Sequence, residues 1–199
     1  METLADDGDG NYAYIDDMDE SRRLFLDELT STLQVIGLNA KVQVDFNTET
    51  VAAYRLIGYE NRAVADSDFR DNAVDAGEIG AGHTVTALSA VQFKPGAEGR
   101  IATVALRWED PTTHEVKEIN GNFNSWDMAK SFDEASLRYQ QDVVVAQFAE
   151  LLRYSPYAQG TSLNDLRIRA DRLAVQIPND PDVAEFAQLV NRAMQIRGW

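Results

Sequence analysis

Lys41-Val42-Gln43-Val44-Asp45-Phe46-Asn47 alternates polar and apolar side chains without a break, and this period of two decides the fold class. Successive side chains of a strand point to opposite faces, so Val42, Val44 and Phe46 share one face and Lys41, Gln43 and Asp45 the other. A half-buried antiparallel strand has this pattern. Residues 53–60, 84–94, 101–109 and 115–122 read as four further strands. Turn chemistry separates them at Pro95-Gly96, at Asp110-Pro111 and at Gly77, Gly80 and Gly82. Five short strands with no helix between them predict an antiparallel β-sandwich rather than a βαβ unit.

On both sides of this block the period lengthens to that of a helix. Upstream, residues 17–37 carry Leu24, Phe25, Leu29, Leu33 and Ile36 at three- and four-residue steps. Asp17 or Asp19 caps the start, and Gly37 is the expected stop. Before it, residues 12–15 form a short β-prone run behind Asp7-Gly8-Asp9-Gly10. Downstream, residues 132–154 place Leu137, Val144, Phe148 and Leu151 on one side. Ser162 opens a second helix along Leu163, Leu166, Ala170, Leu173 and Ile177, which Pro178 ends. Asp180-Pro181 starts a third, with Val183, Phe186, Val190 and Met194 as its stripe. Antiparallel packing into a helical bundle is the economical arrangement for these three.

The 199 residues carry a formal net charge of −15. Nucleic-acid affinity rests largely on lysine and arginine displacing counterions, so an RNA or DNA partner is not expected. No apolar run approaches the ~20 residues that span a bilayer, and membrane insertion is not expected either. Residues 1–11 lack the basic start and apolar stretch of a signal peptide, so the chain as written reads as soluble and without an export signal. There is no cysteine, which removes disulfides, thiolate nucleophiles and cysteine-based zinc sites.

Candidate chemistry is sparse. Asp7, Asp9 and Asn11 mimic the first three ligands of a calcium loop, but Tyr12 stands at the glycine position and Met18 at the bidentate glutamate position. A solvated turn is the plainer reading. Asp66, Asp68, Asp71, Asp75 and Glu78 make an acidic connection that suits hard cations, without the spacing of a site. Gly77, Gly80 and Gly82 precede a strand instead of opening a helix, so they are expected to let a strand run beneath an approaching backbone rather than to cradle phosphate. His83 and His114 are the only histidines. They show no zinc spacing, and no Gly-x-Ser-x-Gly elbow supports a hydrolase. Trp108, Trp126, Tyr54 and Tyr59 are expected to pack cores.

Several stretches resemble one family. Leu4-Ala5, Gly10-Asn11-Tyr12-Ala13-Tyr14-Ile15-Asp16 and the acidic helix ending near Leu29 look like the last strand and last helix of a bacterial von Willebrand factor type A domain. Residues 42–47, 53–62 and 75–88 resemble the C-terminal region of von Willebrand proteins of the YfbK type, most specifically between Tyr54 and Leu88. The resemblance implies an exported, periplasmic or cell-envelope protein. It also implies a metal-dependent adhesion site on an Asp-x-Ser-x-Ser loop, yet no Asp-x-Ser-x-Ser occurs here, so that site transfers to no residue of this chain. A lone strand from a parallel sheet has no partners for its backbone groups, and residues before about Asp17 are expected to fray or join another sheet edge.

The expectation is therefore an α+β chain. Residues 1–38 are a von Willebrand remnant carrying an N-terminal helix, 39–128 an antiparallel β-sandwich and 129–199 a C-terminal α-helical bundle. No catalytic, cofactor-binding or metal residue is assigned, and no cofactor. The function expected is that of a non-catalytic accessory module with a protein partner. The alternatives are a divalent-cation-dependent adhesion or binding protein using the acidic loops, and an unrecognised hydrolase.

Overall fold

A computed structural model describes residues 13–27, 34–58 and 65–197. The chain is α+β, with antiparallel sheets and four helices. The described residues fall into two compact units, one formed by residues up to 55, 65–85 and 90–127, the other by 56–58, 86–89 and 128 onward.

In the first unit a four-stranded sheet has the order β3-β1-β5-β6. Its members are β1 (Val35–Phe46), β3 (Ile79–Gly80), β5 (Arg100–Glu109) and β6 (Val116–Asn124). β2 (Val51–Ile57) and β4 (Leu88–Phe93) form a separate two-stranded ribbon. The Lys94 N–H donates to the Thr50 carbonyl at 2.9 Å, joining the start of one ribbon strand to the end of the other. Register fixes which side chains share a face. Val42, Leu106 and Ile119 lie in one cross-strand row, Val44, Val104 and Gly121 in the next, and Phe46, Ala102 and Phe123 in a third. The opposite face carries the rows Lys41–Arg107–Glu118, Gln43–Ala105–Asn120 and Asp45–Thr103–Asn122.

Burial then departs from expectation. Lys41 is 4% exposed, whereas Val42 is 60% and Ile119 58% exposed. The alternation at 41–47 is real, but Lys41 at its start is covered because the connection at residues 65–78 lies against it, while Asp45 on the same face is exposed and Val44 and Phe46 on the other are half-buried. Buried Phe69 in that connection sits between two residues whose carbonyls accept from Lys41.

The upstream helix is shorter than its apolar spacing predicts. α1 (Met18–Arg22) is capped by Asp17, whose carboxylate accepts from the Asp19 and Glu20 N–H groups, and runs on as a wider turn over Arg23–Asp27. Val35 already belongs to β1, so Ile36 and Gly37 are strand residues and not the end of a helix. The β-branched pair Val35-Ile36 favours the extended form. A Cβ on Gly37 would meet Trp108 Cδ1 at 3.4 Å, so the indole lies in van der Waals reach of this strand position. Residues 13–16 join no sheet, and Tyr14 is exposed. The strand expected over 84–94 is confined to Leu88–Phe93, while the two-residue β3 lies where only a glycine loop was read. Cβ atoms on Gly77 and Gly82 would meet nothing within 4 Å, so no backbone presses on them; Gly82 instead takes a positive φ of 89°. Trp126 and Tyr54 are exposed, against the expectation that they pack cores, and Tyr59 lies outside the described residues.

In the second unit the periodic stripes meet as read. α2 (Leu137–Leu152), α3 (Leu163–Gln176) and α4 (Pro181–Arg197) close on a core of Val144, Phe148, Leu163, Leu166, Ala170, Leu173, Val183, Ala187 and Val190. Phe186 meets Phe148 edge to face at 5.7 Å between ring centroids. Ser136, Ser162 and Asp180 each accept N–H groups of the helix that follows. Arg138 pairs with the second Asp180 oxygen at 2.6 Å. That bond, then the Val183 N–H, holds the Asp180 carboxyl below the ordinary aspartate range.

Candidate functional site

The densest polar grouping lies on the covered face of the four-stranded sheet. The pairing of β1 with β5 puts Lys41 opposite Arg107, two like charges that repel unless something comes between them. The 65–78 connection does so. Lys41 Nζ donates to the Asp71 carbonyl at 2.7 Å and to the Asp68 carbonyl at 3.3 Å. Arg107 donates to Asn72 Oδ1. Arg70 makes two bonds to the Glu118 carboxylate, at 2.8 and 3.2 Å, which hold that carboxyl below its usual range. Two acidic side chains help hold the connection in place. Asp66 accepts from Gln43, and Asp71 accepts from the Ala73 N–H.

At the end of β5 this grouping continues into Glu109. One carboxylate oxygen is 2.6 Å from His114 Nδ1, and the other accepts from Asn39 at 3.5 Å. The His114 bond is the main reason the Glu109 carboxyl is lowered. Both neighbours have left-handed backbones, Asn39 at φ 51° and His114 at φ 57°. The adjoining loop is tied by Asp110, which pairs with Lys117 at 2.7 Å and accepts from the Thr112 and Thr113 N–H groups. Its carboxyl is strongly lowered, first by the Lys117 bond.

What this arrangement can do is limited by space. The void beside it, lined by Asn39, Lys41, Asn72, Arg107, Glu109 and their neighbours, has a volume of about 10 Å³, room for a single water at most. A histidine–carboxylate pair becomes catalytic when a nucleophile is hydrogen-bonded to the imidazole. Among the described residues no hydroxyl donates to either imidazole. His114 faces Glu109, and His83 Nδ1 accepts from the Gly80 N–H at 3.2 Å. A larger open cleft of about 770 Å³ lies between the turns at 47–50 and 95–100. Its polar groups brace the turns, since Asn47 and Thr50 both donate to the Arg100 carbonyl at 2.9 Å. In the helical unit, buried Glu150 accepts from Ser155 Oγ at 2.6 Å.

Of the residues flagged in the sequence, the structure joins His114 to a carboxylate, Asp66 and Asp71 to the sheet, and His83 to its own turn. It gathers no three acidic or histidine side chains into a metal-holding group among the described residues. Asp7, Asp9 and Asn11 lie outside those residues. Sequence reasoning passed over Asn39, Lys41, Arg70, Glu109 and Glu118. Their grouping depends on β1–β5–β6 register, for which no local pattern exists.

Residues 31–99 and 92–196 match the protein family described as "Uncharacterized protein YfbK, C-terminal". The chain belongs to this family. It is 29% identical over 212 residues to "Uncharacterized protein YfbK" of Escherichia coli (strain K12), a match that covers 97% of this chain and 36% of the relative. The chain thus spans little more than a third of the length of the curated relative it matches. No solved structure matches the chain.

Proposed function

We propose that the chain is a non-catalytic accessory module that makes protein–protein contacts within, or for, a longer polypeptide bearing a von Willebrand factor type A domain. The observation that carries this reading is the distribution of polar and apolar groups in the sheet unit. Glu109 engages His114 and the Gly80 N–H engages His83 within the fold, while Val42, Val104, Ile119 and Phe123 of the sheet are exposed, which is the surface chemistry of a contact and not of a cleft. The segment that precedes β1, which starts at Val35, would correspond to the last strand and helix of such a domain. A helix parted from its sheet leaves its apolar side open, and Met18, Phe25 and Leu26 of the α1 segment are exposed. In this reading the β-sandwich, its second layer the β2–β4 ribbon, starts with β1 at Val35 rather than at residue 39, and 129–199 is a helical bundle.

The test pairs the 199-residue chain with a von Willebrand A domain from a longer family member, truncated before its last strand and helix. Calorimetric binding is expected, and absence of heat overturns the contact role. Turnover of model esters or peptides that disappears in His114→Ala or His83→Ala would overturn the non-catalytic part.

A further inference from the structure

The four-stranded sheet ends in two unlike edges. β3 contributes two residues, whereas β6 runs for nine, and every residue from Val116 to Phe123 is exposed. In an antiparallel ladder alternate residues turn both backbone groups to the same neighbour. The Asp110 N–H donates to the Glu115 carbonyl at 3.0 Å, and the Asn47 N–H to the Ile101 carbonyl at 2.8 Å. Carried through the register, these bonds turn Lys117, Ile119, Gly121 and Phe123 toward β5. Val116, Glu118, Asn120 and Asn122 therefore aim their N–H and C=O groups away from the sheet, where they meet no partner among the described residues. The next outward N–H, that of Asn124, is taken by Asp127 Oδ2 at 2.8 Å and closes the run.

Natural edges are commonly guarded by charge, proline or a covering segment. β6 holds no proline, and its two charges are already engaged within the sheet unit, Lys117 with Asp110 at 2.7 Å and Glu118 with Arg70 at 2.8 Å. A strand added to such an edge gains main-chain hydrogen bonds along its length. A second β6 fits it. In a twofold antiparallel pair, opposed residues share a face, so each register is centred on one residue. Centred on Ile119, Val116 faces Asn122 of the second copy and Glu118 faces Asn120, and every outward N–H and C=O of the run finds a partner. Moving the centre to Asn120 brings in Asn124, whose N–H is already taken. Moving it to Glu118 sets two glutamates face to face. The Ile119 register opposes no like charges. It lays Lys117 across from Gly121, where a Cβ would meet nothing within 4 Å. It also joins the two Ile119 residues as a non-hydrogen-bonded pair, in which side chains approach most closely.

We propose that β6 is a self-association edge: two copies of this chain pair β6 with β6, antiparallel about Ile119, and merge their sheets into one. An edge contact buries less than the ~800 Å² that each partner of a standard stable interface contributes, so the dimer is weak and reversible. The net charge of −15 on each copy opposes approach until salt screens it. The accessory role and the von Willebrand reading do not enter, and both stand if the dimer fails.

Sedimentation equilibrium of the 199-residue chain from ~10 μM to ~1 mM is the first measurement. Expected is a monomer–dimer equilibrium that tightens as salt rises from ~50 to ~300 mM. A monomer at every concentration overturns the proposal. Residue 120 then tests the register. Asn120→Lys opposes Glu118 of the second copy with a lysine and should tighten the dimer about fivefold, because the twofold repeats each pair. Asn120→Glu should weaken it about as much. If both weaken it, the centre is Asn120 and the Ile119 register is wrong. The chain has no cysteine, which makes a disulfide test clean. Ile119→Cys should cross-link two chains on mild oxidation, since the ~4.5 Å between Cα atoms of such a pair suits a disulfide. Phe123→Cys, exposed on the same face, should stay uncross-linked. Equal cross-linking of the two, or a dimer indifferent to residue 120, overturns the β6 seam.

Discussion

In the helical unit the buried side chains are those that hydrophobic spacing nominates, and Val144, Leu166, Leu173, Val183 and Val190 are all essentially removed from water. In the sheet unit adjacent residues reverse the rule, with Lys41 inside and Val42 outside. The three helices carry enough apolar surface to close on one another, so their core is complete. In the sheet a polar connection covers Lys41, and the apolar face is uneven, with Ala102 buried and Val42, Val104 and Ile119 exposed. Helical spacing therefore predicts burial in one unit, while the strand alternation predicts only which side chains share a face in the other.

The sharpest way to break this contrast is by truncation. Leu166→Ala should cost ~2–5 kcal/mol through the cavity it leaves, while Ile119→Ala in the same chain should stay within ~0.5 kcal/mol as an exposed substitution. Denaturation followed by hydrogen exchange in each unit measures both, and similar losses would erase the distinction. Next comes the lysine. Lys41→Ala removes the donor shared by the Asp68 and Asp71 carbonyls, with an expected loss of ~1–3 kcal/mol. Faster amide exchange across 65–78 would accompany it. If exchange there is unchanged, the connection is held by something other than Lys41.

A smaller effect is expected at the cap of α3. Ser162→Ala deprives the Asp165 N–H of its acceptor and should cost ~1 kcal/mol. Acid gives a further comparison. Asp180, Glu109 and Glu118 have folded-state pKa values below their ordinary ones. Their stabilisation is complete above the unfolded pKa, near 4, and is lost as pH falls through the lower folded values. Melting temperature should thus fall on acidification below about pH 4. Asp180→Asn should flatten that fall in the helical unit alone, and an unaltered slope would show that the Arg138 pair contributes nothing. The smallest expected effect is none at all. Millimolar calcium or magnesium should leave the melting temperature unchanged, because Asp66 and Asp71 already serve Gln43 and the Ala73 N–H. A rise of several degrees would restore the cation-binding alternative.

The helical unit was legible because its information is local. The stripes from Leu163 to Leu173 and from Val183 to Val190, and the caps Ser162 and Asp180, each depend on residues a few positions apart. The parity of 41–47 was equally legible, and so were β5 and β6. The burial of Lys41 was not, since that depends on a distant connection whose Asp68 and Asp71 carbonyls accept from it. The spacing that ran from Leu24 to Ile36 misled for a related reason. Ile36 satisfies a helical period but lies between Val35 and Gly37, which pair with β3, and tertiary pairing overrides the local pattern. The Glu109–His114–Asn39 group was half visible. His114 stood out as one of two histidines, whereas Asn39 reaches Glu109 only through the register of β1 on β5.

That register also sets an order of events on the ribosome. β1 emerges before its long partner β5, with the connection, the ribbon and roughly 60 residues between Val42 and Leu106; at ~5–20 residues per second β1 waits several seconds for that partner. Throughout that interval an alternating, β-branched segment is displayed without its mate, whereas each C-terminal helix finds its neighbours within the next few turns of chain. Newly made chains are therefore most exposed to mispairing and chaperone capture at residues 35–46, before any helix of the second unit has been synthesised.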